Sequence, residues 1–265
     1  MMFVEPESMT ASTRGGKPWQ AHLIDQGWCN FTPEDHAVWD ILFKRQVQLL
    51  RGRVVSSFLD GLDLLELNAP GVPELTRLNQ RLLARTGWRC VSVAGLVPDE
   101  AFFAMLADRL FPIGNFVRTR VQLDYLEEPD CFHDIFGHVP MLAHTGMANA
   151  MQSIGDLGLR AIAAGLGHHV ARLYWHTIEF GLCREADHVR ILGAGLASSF
   201  GEARASLEDE SIERRRFTVE EAIAASYRHD AMQPLYFVSD SLEAVVSALE
   251  GATVSHLTVP EPTSA

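Results

Sequence analysis

Between residues 30 and 100 the chain three times sets acidic residues directly after a proline: Pro33-Glu34-Asp35, Pro73-Glu74 and Pro98-Asp99-Glu100. Each is the punctuation of a helix start. Proline's fixed φ suits the first helical turn, where its missing N–H is not needed, and carboxylates there meet the positive end of the helix dipole. Thr32 supplies an N-cap for the first. The runs that follow keep helical spacing: Val38, Ile41, Leu42, Val47 and Leu50 after the first start, LTRLNQRLLAR up to Gly87 after the second, and EAFFAMLADRLF after the third. A short β-like run, RCVSVAGL over 89–96, is broken by Gly95 and Pro98. Residues 111–123 read as extended. Residues 148–183 read as helical with an interruption near Gly165 and Gly167, and further helices fall at 197–205, 219–227 and 240–250. The expected fold class is mostly α with a few short β-strands (α+β).

No linker, repeat or low-complexity block divides the chain. Residues 1–20 are polar and small-residue rich, and residues 256–265 carry prolines without periodicity, so both read as tails. One domain is expected over residues 21–255 of the 265, and an apolar content of 47% suffices for its core. Lys and Arg number 22 against 34 Asp and Glu, a net charge of −12. That balance sets aside nucleic acid and anionic membrane surfaces as partners. It also means that an anionic group on a substrate must be held by a local cation. Cys29, Cys90, Cys131 and Cys183 lie far apart without CxxC spacing and read as free thiols of a reducing compartment. The N-terminus lacks a basic start followed by an apolar stretch, and no apolar window is long enough to span a bilayer. The expected location is the cytoplasm.

Chemistry concentrates in LDYLEEPDCFHDIFGHVPML, which holds His133 and His138. Five residues on an ideal α-helix turn the second side chain about 140° from the first, so the pair does not share a helix face as an i,i+4 pair does. Pro129, Gly137 and Pro140 suggest a bent segment that aims both imidazoles into one cavity. Glu179 sits in the apolar run YWHTIEFGL, where a carboxylate is costly unless paired or metal-bound. Two imidazoles and a carboxylate suit non-haem Fe(II) with open positions, and equally a catalytic zinc. The residues alone leave oxygenase and hydrolase both open.

DYLEEPDCFHDIFGHVP, YWHTIEFGL, GAGLASSFGE and QPLYFV resemble, in order, the signature segments of the pterin-dependent aromatic amino acid hydroxylases. Within that family TPEDHAVWDILFKRQ and VAGLVPDEAFF resemble the short bacterial members that hydroxylate phenylalanine. The resemblance runs from about residue 30 to about residue 250. It implies the catalytic-domain fold of the family and His133, His138 and Glu179 as iron ligands. It implies Arg118, fifteen residues before the first histidine, as the partner of the substrate carboxylate, with Pro129, Trp175, Phe180 and Ser198 also on the substrate side. Ser198, and Glu202 in the same motif, would touch ligand histidines from outside. Gly95, Leu96, Val97, Phe102, Asp134 and Tyr174 would hold the pterin. Arg120 reads instead as a solvated strand residue.

The resemblance further implies Fe(II), a tetrahydropterin (tetrahydrobiopterin or a related reduced pterin) and O2, a ferryl-oxo intermediate, and hydroxylation of L-phenylalanine to L-tyrosine. No catalytic side chain beyond the metal ligands is called for. Trp175 favours phenylalanine over tryptophan as substrate. Against the family's length the chain leaves no room for a regulatory domain or a tetramerising heptad helix, so a monomer is expected. Three positions depart from relatives: His176 replaces a phenylalanine of animal members, Leu126 replaces a threonine, and His229 stands where bacterial members carry an aliphatic residue. The alternatives are the same chemistry on tryptophan or at the meta position, a zinc hydrolase on the same ligands, and a non-catalytic binding protein.

Overall fold

Each of the three proline–acid sequences opens a helix. The computed structural model describes residues 17–124, 126, 128–228 and 231–258. Helix α1, Pro33–Leu50, starts on a reciprocal cap: the Asp35 N–H donates to Thr32 Oγ1 at 3.2 Å and the Thr32 N–H to Asp35 Oδ2 at 2.7 Å. A second helix, α2 (Ser56–Leu64), precedes α3 (Leu75–Thr86), which ends at Gly87 with φ of +76°, the left-handed C-cap that glycine adopts without strain. Strand β1 (Arg89–Val93) leads into α4 (Asp99–Ala107) and returns as β2 (Leu110–Gly114), parallel to β1 with Arg89 beside Leu110.

A π-helical turn, His133–His138, runs into α5 (Val139–Leu142) and then α6 (Thr145–Ala163). Helix α7 (Gly167–Tyr174) ends in a second π-helical segment, Trp175–Glu179. Strands β3 (Leu182–Glu185) and β4 (His188–Ile191) form a hairpin, followed by α8 (Ala194–Ser198) and α9 (Phe200–Glu208). The remaining elements are β5 (Glu213–Arg216), α10 (Val219–Ala224), β6 (Leu235–Ser239) and α11 (Leu242–Gly251). The second sheet has the order β4-β3-β6-β5, with β3 antiparallel to β4 and parallel to β6. The architecture is helix-rich with short strands, as expected.

Three details differ from the sequence reading. Helix α2 and the four-stranded sheet had no periodic signal. Strand β5 reads ERRR, which has no apolar alternation, and its pairing comes wholly from β6. The helix expected at 197–205 is two helices, because Ser199 is extended (φ −99°, ψ 123°) and its Oγ accepts the Glu202 N–H to cap α9. The body also takes in part of the expected tails. Pro18–His22 forms a 3-10 turn from which Trp19 Nε1–H donates to Asp108 at 2.7 Å, and Leu257 is buried. Residues 1–16 and 259–265 lie outside the described residues. All four cysteines are free, and among the described residues no helix is long and apolar enough to cross a membrane.

The core grips the histidine segment from behind. Phe132 and Phe136 stack at 4.8 Å, Trp39 of α1 meets Phe132 edge-on at 5.2 Å, and Phe43 and Phe58 meet Phe136 edge-on at 5.5 and 5.6 Å. Phe132, Ile135 and Phe136 are fully buried. With the aromatic face sunk in the core, the histidine face is turned the other way.

Candidate metal centre between two cavities

The spacing of five makes sense once the turn is π-helical. A π-turn bonds i to i+5, so residues five apart lie one above the other. His133 and His138 therefore share a face that an α-helix would deny them. The second π segment shows its bond directly: the Phe180 N–H donates to Trp175 O at 2.9 Å. It ends on Glu179, which it delivers to the same place. Two close approaches make room for this. A Cβ on Gly137 would stand 2.8 Å from Ala194 O, and one on Gly193 would stand 2.2 Å from Glu179 O.

His133, His138 and Glu179 present ligand atoms that all lie within 4.8 Å of one another. His138 Nε2 is 3.0 Å from Glu179 Oε1 and 3.3 Å from His133 Nε2, and His133 Nε2 is 3.7 Å from Glu179 Oε2. The tautomer of His133 follows from its neighbour. The Ser198 hydroxyl donates its one proton to Ala194 O at 2.9 Å, so it accepts from His133 Nδ1–H, also at 2.9 Å. That fixes a lone pair on Nε2, aimed into the cluster. Burial works to raise the Glu179 carboxyl, but the positive charge that His138 and His133 carry when protonated outweighs it and holds the carboxyl well below the usual carboxylate range. An ionised carboxylate and two imidazole nitrogens converging in a buried space are the donor set of a divalent metal.

Two cavities meet at this cluster, and His133, Glu179, Leu96 and Pro129 line both. The smaller, about 60 Å3, is also lined by Gly95, Val97, Phe102, Phe111, Asp134, His138 and Tyr174. All six residues expected on the pterin side are here. Phe102 meets Tyr174 edge-on at 5.5 Å, and Phe111 lies against His138 at 4.7 Å. Burial pushes the Asp134 carboxyl up to about 7, although it accepts the Gly114 N–H at 2.7 Å.

The larger cavity, about 460 Å3, is lined by Arg118, Leu126, Trp175, Phe180, Ser198 and Glu202 among others. With Pro129, all five residues expected on the substrate side are here. Trp175 stacks on Tyr227 at 4.2 Å and lies tilted against Phe180 at 4.6 Å. Arg118 is 8% exposed, and its Nε and Nη2 both donate to Asp130 at 2.9 Å. Asp130 is fully buried and also accepts the backbone N–H groups of Arg118 and His133. Burial opposes its ionisation, but Arg118 keeps the carboxyl below its ordinary value. One edge of the guanidinium is thus fixed by Asp130.

Asp130 and Tyr227 were missed by sequence reasoning. The signal for Asp130 was present: a carboxylate flanked by Pro129 and the apolar Cys131-Phe132 needs a buried cation, by the argument that singled out Glu179. Tyr227 had no signal, since it reaches Trp175 across tertiary space. Arg120 pairs with Glu34 at 2.8 Å, both about half exposed, so it is solvated as expected, but it lies in a 3-10 turn and not in a strand, since the extended stretch expected over 111–123 ends at Gly114. His176 is buried, shares a hydrogen bond with Ala225 O at 3.3 Å and meets Phe237 edge-on. Burial pushes it down to about 4, so it sits neutral in the core. Glu202 Oε1 accepts from Tyr236 O–H at 2.8 Å and from the Gln233 N–H at 3.1 Å, so it braces the wall of the larger cavity and makes no bond to a ligand histidine. Its carboxyl is pushed up by burial. His229 lies outside the described residues.

The model of the biopterin-dependent aromatic amino acid hydroxylases matches residues 24–257. A phenylalanine-4-hydroxylase of Caulobacter vibrioides is 47% identical over 222 residues, covering 84% of this chain and 76% of that protein. Phenylalanine hydroxylase of Chromobacterium violaceum, in a crystal structure with iron(III) and 7,8-dihydrobiopterin, is 43% identical with a TM-score of 0.83, covering 86% of this chain and 83% of that one. The same enzyme with iron and phenylalanine bound is 40% identical with a TM-score of 0.84, covering 89% and 85%. The metal cluster, the cavities on either side of it and these likenesses agree, and the chain belongs to the biopterin-dependent aromatic amino acid hydroxylase family.

Proposed function

We propose that the protein is a phenylalanine 4-monooxygenase that converts L-phenylalanine and O2 to L-tyrosine with non-haem Fe(II) and a tetrahydropterin. The observation that carries this is the sorting of side chains about the buried cluster: a pterin set on one side, a substrate set on the other, and His133 and Glu179 facing both. The bacterial relatives named above carry the same activity in their names, and the Chromobacterium violaceum enzyme holds iron with dihydrobiopterin or with phenylalanine.

His133, His138 and Glu179 would hold the iron, leaving positions open for other ligands. When bound, iron and a tetrahydropterin supply two-electron activation of O2, with one oxygen atom going to the ring and the other to the pterin. The protein's part is binding and orientation. Arg118 offers Nη1 to the substrate carboxylate while Asp130 fixes the guanidinium plane, so the charge needed against the acidic background is already in place. Trp175, braced by Tyr227 and Phe180, is a flat apolar wall for the aromatic ring. Ser198 holds the His133 imidazole with its lone pair inward. Phe102, Tyr174 and the turn at Gly95 would enclose the pterin, with Asp134 in the same cavity wall.

Residues 21–255 act as one catalytic domain on this reading, supported by the family match over 24–257. The enzyme works in the cytoplasm, where its four free cysteines stay reduced, and as a monomer, which size-exclusion chromatography with light scattering checks. The direct test supplies Fe(II), a tetrahydropterin and O2 with phenylalanine, tyrosine or tryptophan and identifies products by mass and retention time. Para-tyrosine is expected. Meta-tyrosine, or product from tryptophan alone, would overturn the assignment.

A further inference from the structure

The larger cavity has one wall with little structure of its own. From Asn115 to Asp130 the described residues form neither strand nor α-helix, only the 3-10 turn Arg120–Gln122. Yet this stretch supplies Arg118, Leu123 and Asp124 to the cavity. Its deep end is held by the Arg118–Asp130 pair. Its outer end is tied to α1 at two places.

The ties differ in kind. Arg120 meets Glu34, with about half of each side chain exposed, and exposed pairs contribute little. Arg45 is only 23% exposed, and although its partner Asp124 is 85% exposed, its bond to the Leu123 carbonyl is partly buried. Its Nη2 donates to Leu123 O at 2.6 Å and its Nη1 to Asp124 Oδ1 at 2.5 Å. The same guanidinium lies 4.8 Å from the ring centre of Phe200, the first residue of α9. Leu123 and Phe200 both line the larger cavity. One planar cation therefore touches two rims of that cavity at once, one by charge-assisted hydrogen bonds and the other through the ring face. The next residue, Gln46, donates to Ala197 O at 2.6 Å, on the segment that carries Ser198. Helix α1, anchored by buried Trp39 and Leu42, acts here as a gauge bar.

We propose that Arg45 is a positioning residue that sets the width of the larger cavity between Leu123 and Phe200, and so the size of ring it accepts. The ring-size clause rests on the phenylalanine hydroxylase reading; the clamp itself does not.

Arg45→Met keeps the length of the side chain and removes the charge and donors. In the iron- and tetrahydropterin-loaded enzyme it should raise KM for phenylalanine about fivefold, with kcat and KM for the pterin within about twofold. Tryptophan kcat/KM relative to phenylalanine should rise about threefold as the rims part. Arg45→Lys, which keeps a cation over Phe200 and one donor, should recover at least about half of the loss. Arg120→Met, on the exposed tie, should change nothing by more than about twofold. Hydrogen exchange on the unloaded protein gives a readout without activity: amides of residues 119–124 should exchange faster in Arg45→Met and not in Arg120→Met. Unchanged exchange there overturns the clamp. Faster exchange with unchanged phenylalanine KM and ring preference overturns the gauge. Parallel loss of iron, kcat and pterin affinity shows a general structural role and also overturns it. If the wild-type protein does not hydroxylate phenylalanine, the functional reading fails, and the exchange experiment still decides the clamp.

Discussion

The two cavities share His133 and Glu179 but are built from different material. The smaller is framed by the β1–α4 turn, strand β2 and the π-helical turn of His133 and His138. Its described carboxylates other than Glu179 reduce to Asp134, and its specificity is a matter of shape and backbone. The larger is framed by helix ends and by the irregular stretch between β2 and Asp130. It carries a buried ion pair, a stacked aromatic wall and a brace of hydrogen bonds around Glu202. A planar cofactor is gripped by a fixed slot. A zwitterionic amino acid needs a local cation and a wall whose spacing can select a ring. The difference separates what each set of residues should control when changed.

Removing a ligand of the metal cluster at which the two cavities meet should cost most. His138→Ala should lower iron affinity and hydroxylation by more than about 100-fold, the upper end of what losing a ligand's outer partner costs. Normal iron content with surviving activity would break the comparison at its root. Next comes a change confined to the larger cavity. Arg118→Lys should raise KM for phenylalanine roughly 10- to 100-fold, since a lysine cannot pair with Asp130 and present a second edge, while KM for the pterin stays unchanged. Arg118→Ala is the poorer probe, because it leaves Asp130 buried and unpaired at about 3–5 kcal/mol. The mirror experiment is Phe102→Leu, which loses the edge-on contact with Tyr174. Pterin KM should rise about three- to tenfold and phenylalanine KM should not move. If either variant shifts both constants equally, the cavities are not separable.

The smallest effect on catalysis is expected at His176, which lines neither cavity. His176→Phe should leave both KM values within about twofold. Its consequence is in stability. The folded value near 4 is depressed below the ordinary 6.5, so the unfolded chain binds the extra proton first. Stability from this group is present above pH 6.5 and is lost as pH falls toward 4, by up to about 3 kcal/mol. Thermal unfolding from pH 4 to 7 should show a shallower slope in the phenylalanine variant.

Local chemistry was legible in the sequence, and non-local pairing was not. Thr32, Pro33 and Asp35 announce α1 because capping is complete within four residues. Gly87 ends α3 for the same reason. Strand β5 announces nothing, because its partner β6 is about twenty residues away and its own residues are charged. At the site, Glu179 was legible because a carboxylate in an apolar run demands an explanation, and Asp130 would have yielded to the same question. The pairing of His133 with His138 looked wrong by α-helical geometry. The family resemblance assigned both, but only the π-turn explains why their spacing works.

That turn has a consequence for how the sequence can change. A π-turn holds one more residue than an α-turn over the same bond closure, and here it does so in both segments that reach the cluster. Deleting that one residue from either would let the segment close as an ordinary α-turn. In the first segment a deletion between the histidines would leave them four apart, a spacing that an α-helix also sets on one face, while one between Phe132 and Phe136 would shorten the spacing of the stacked pair behind the site. Point substitutions can drift through this region one side chain at a time. Changes of length act on the bond pattern itself, so the residue count of each π-turn is part of the geometry of the cluster.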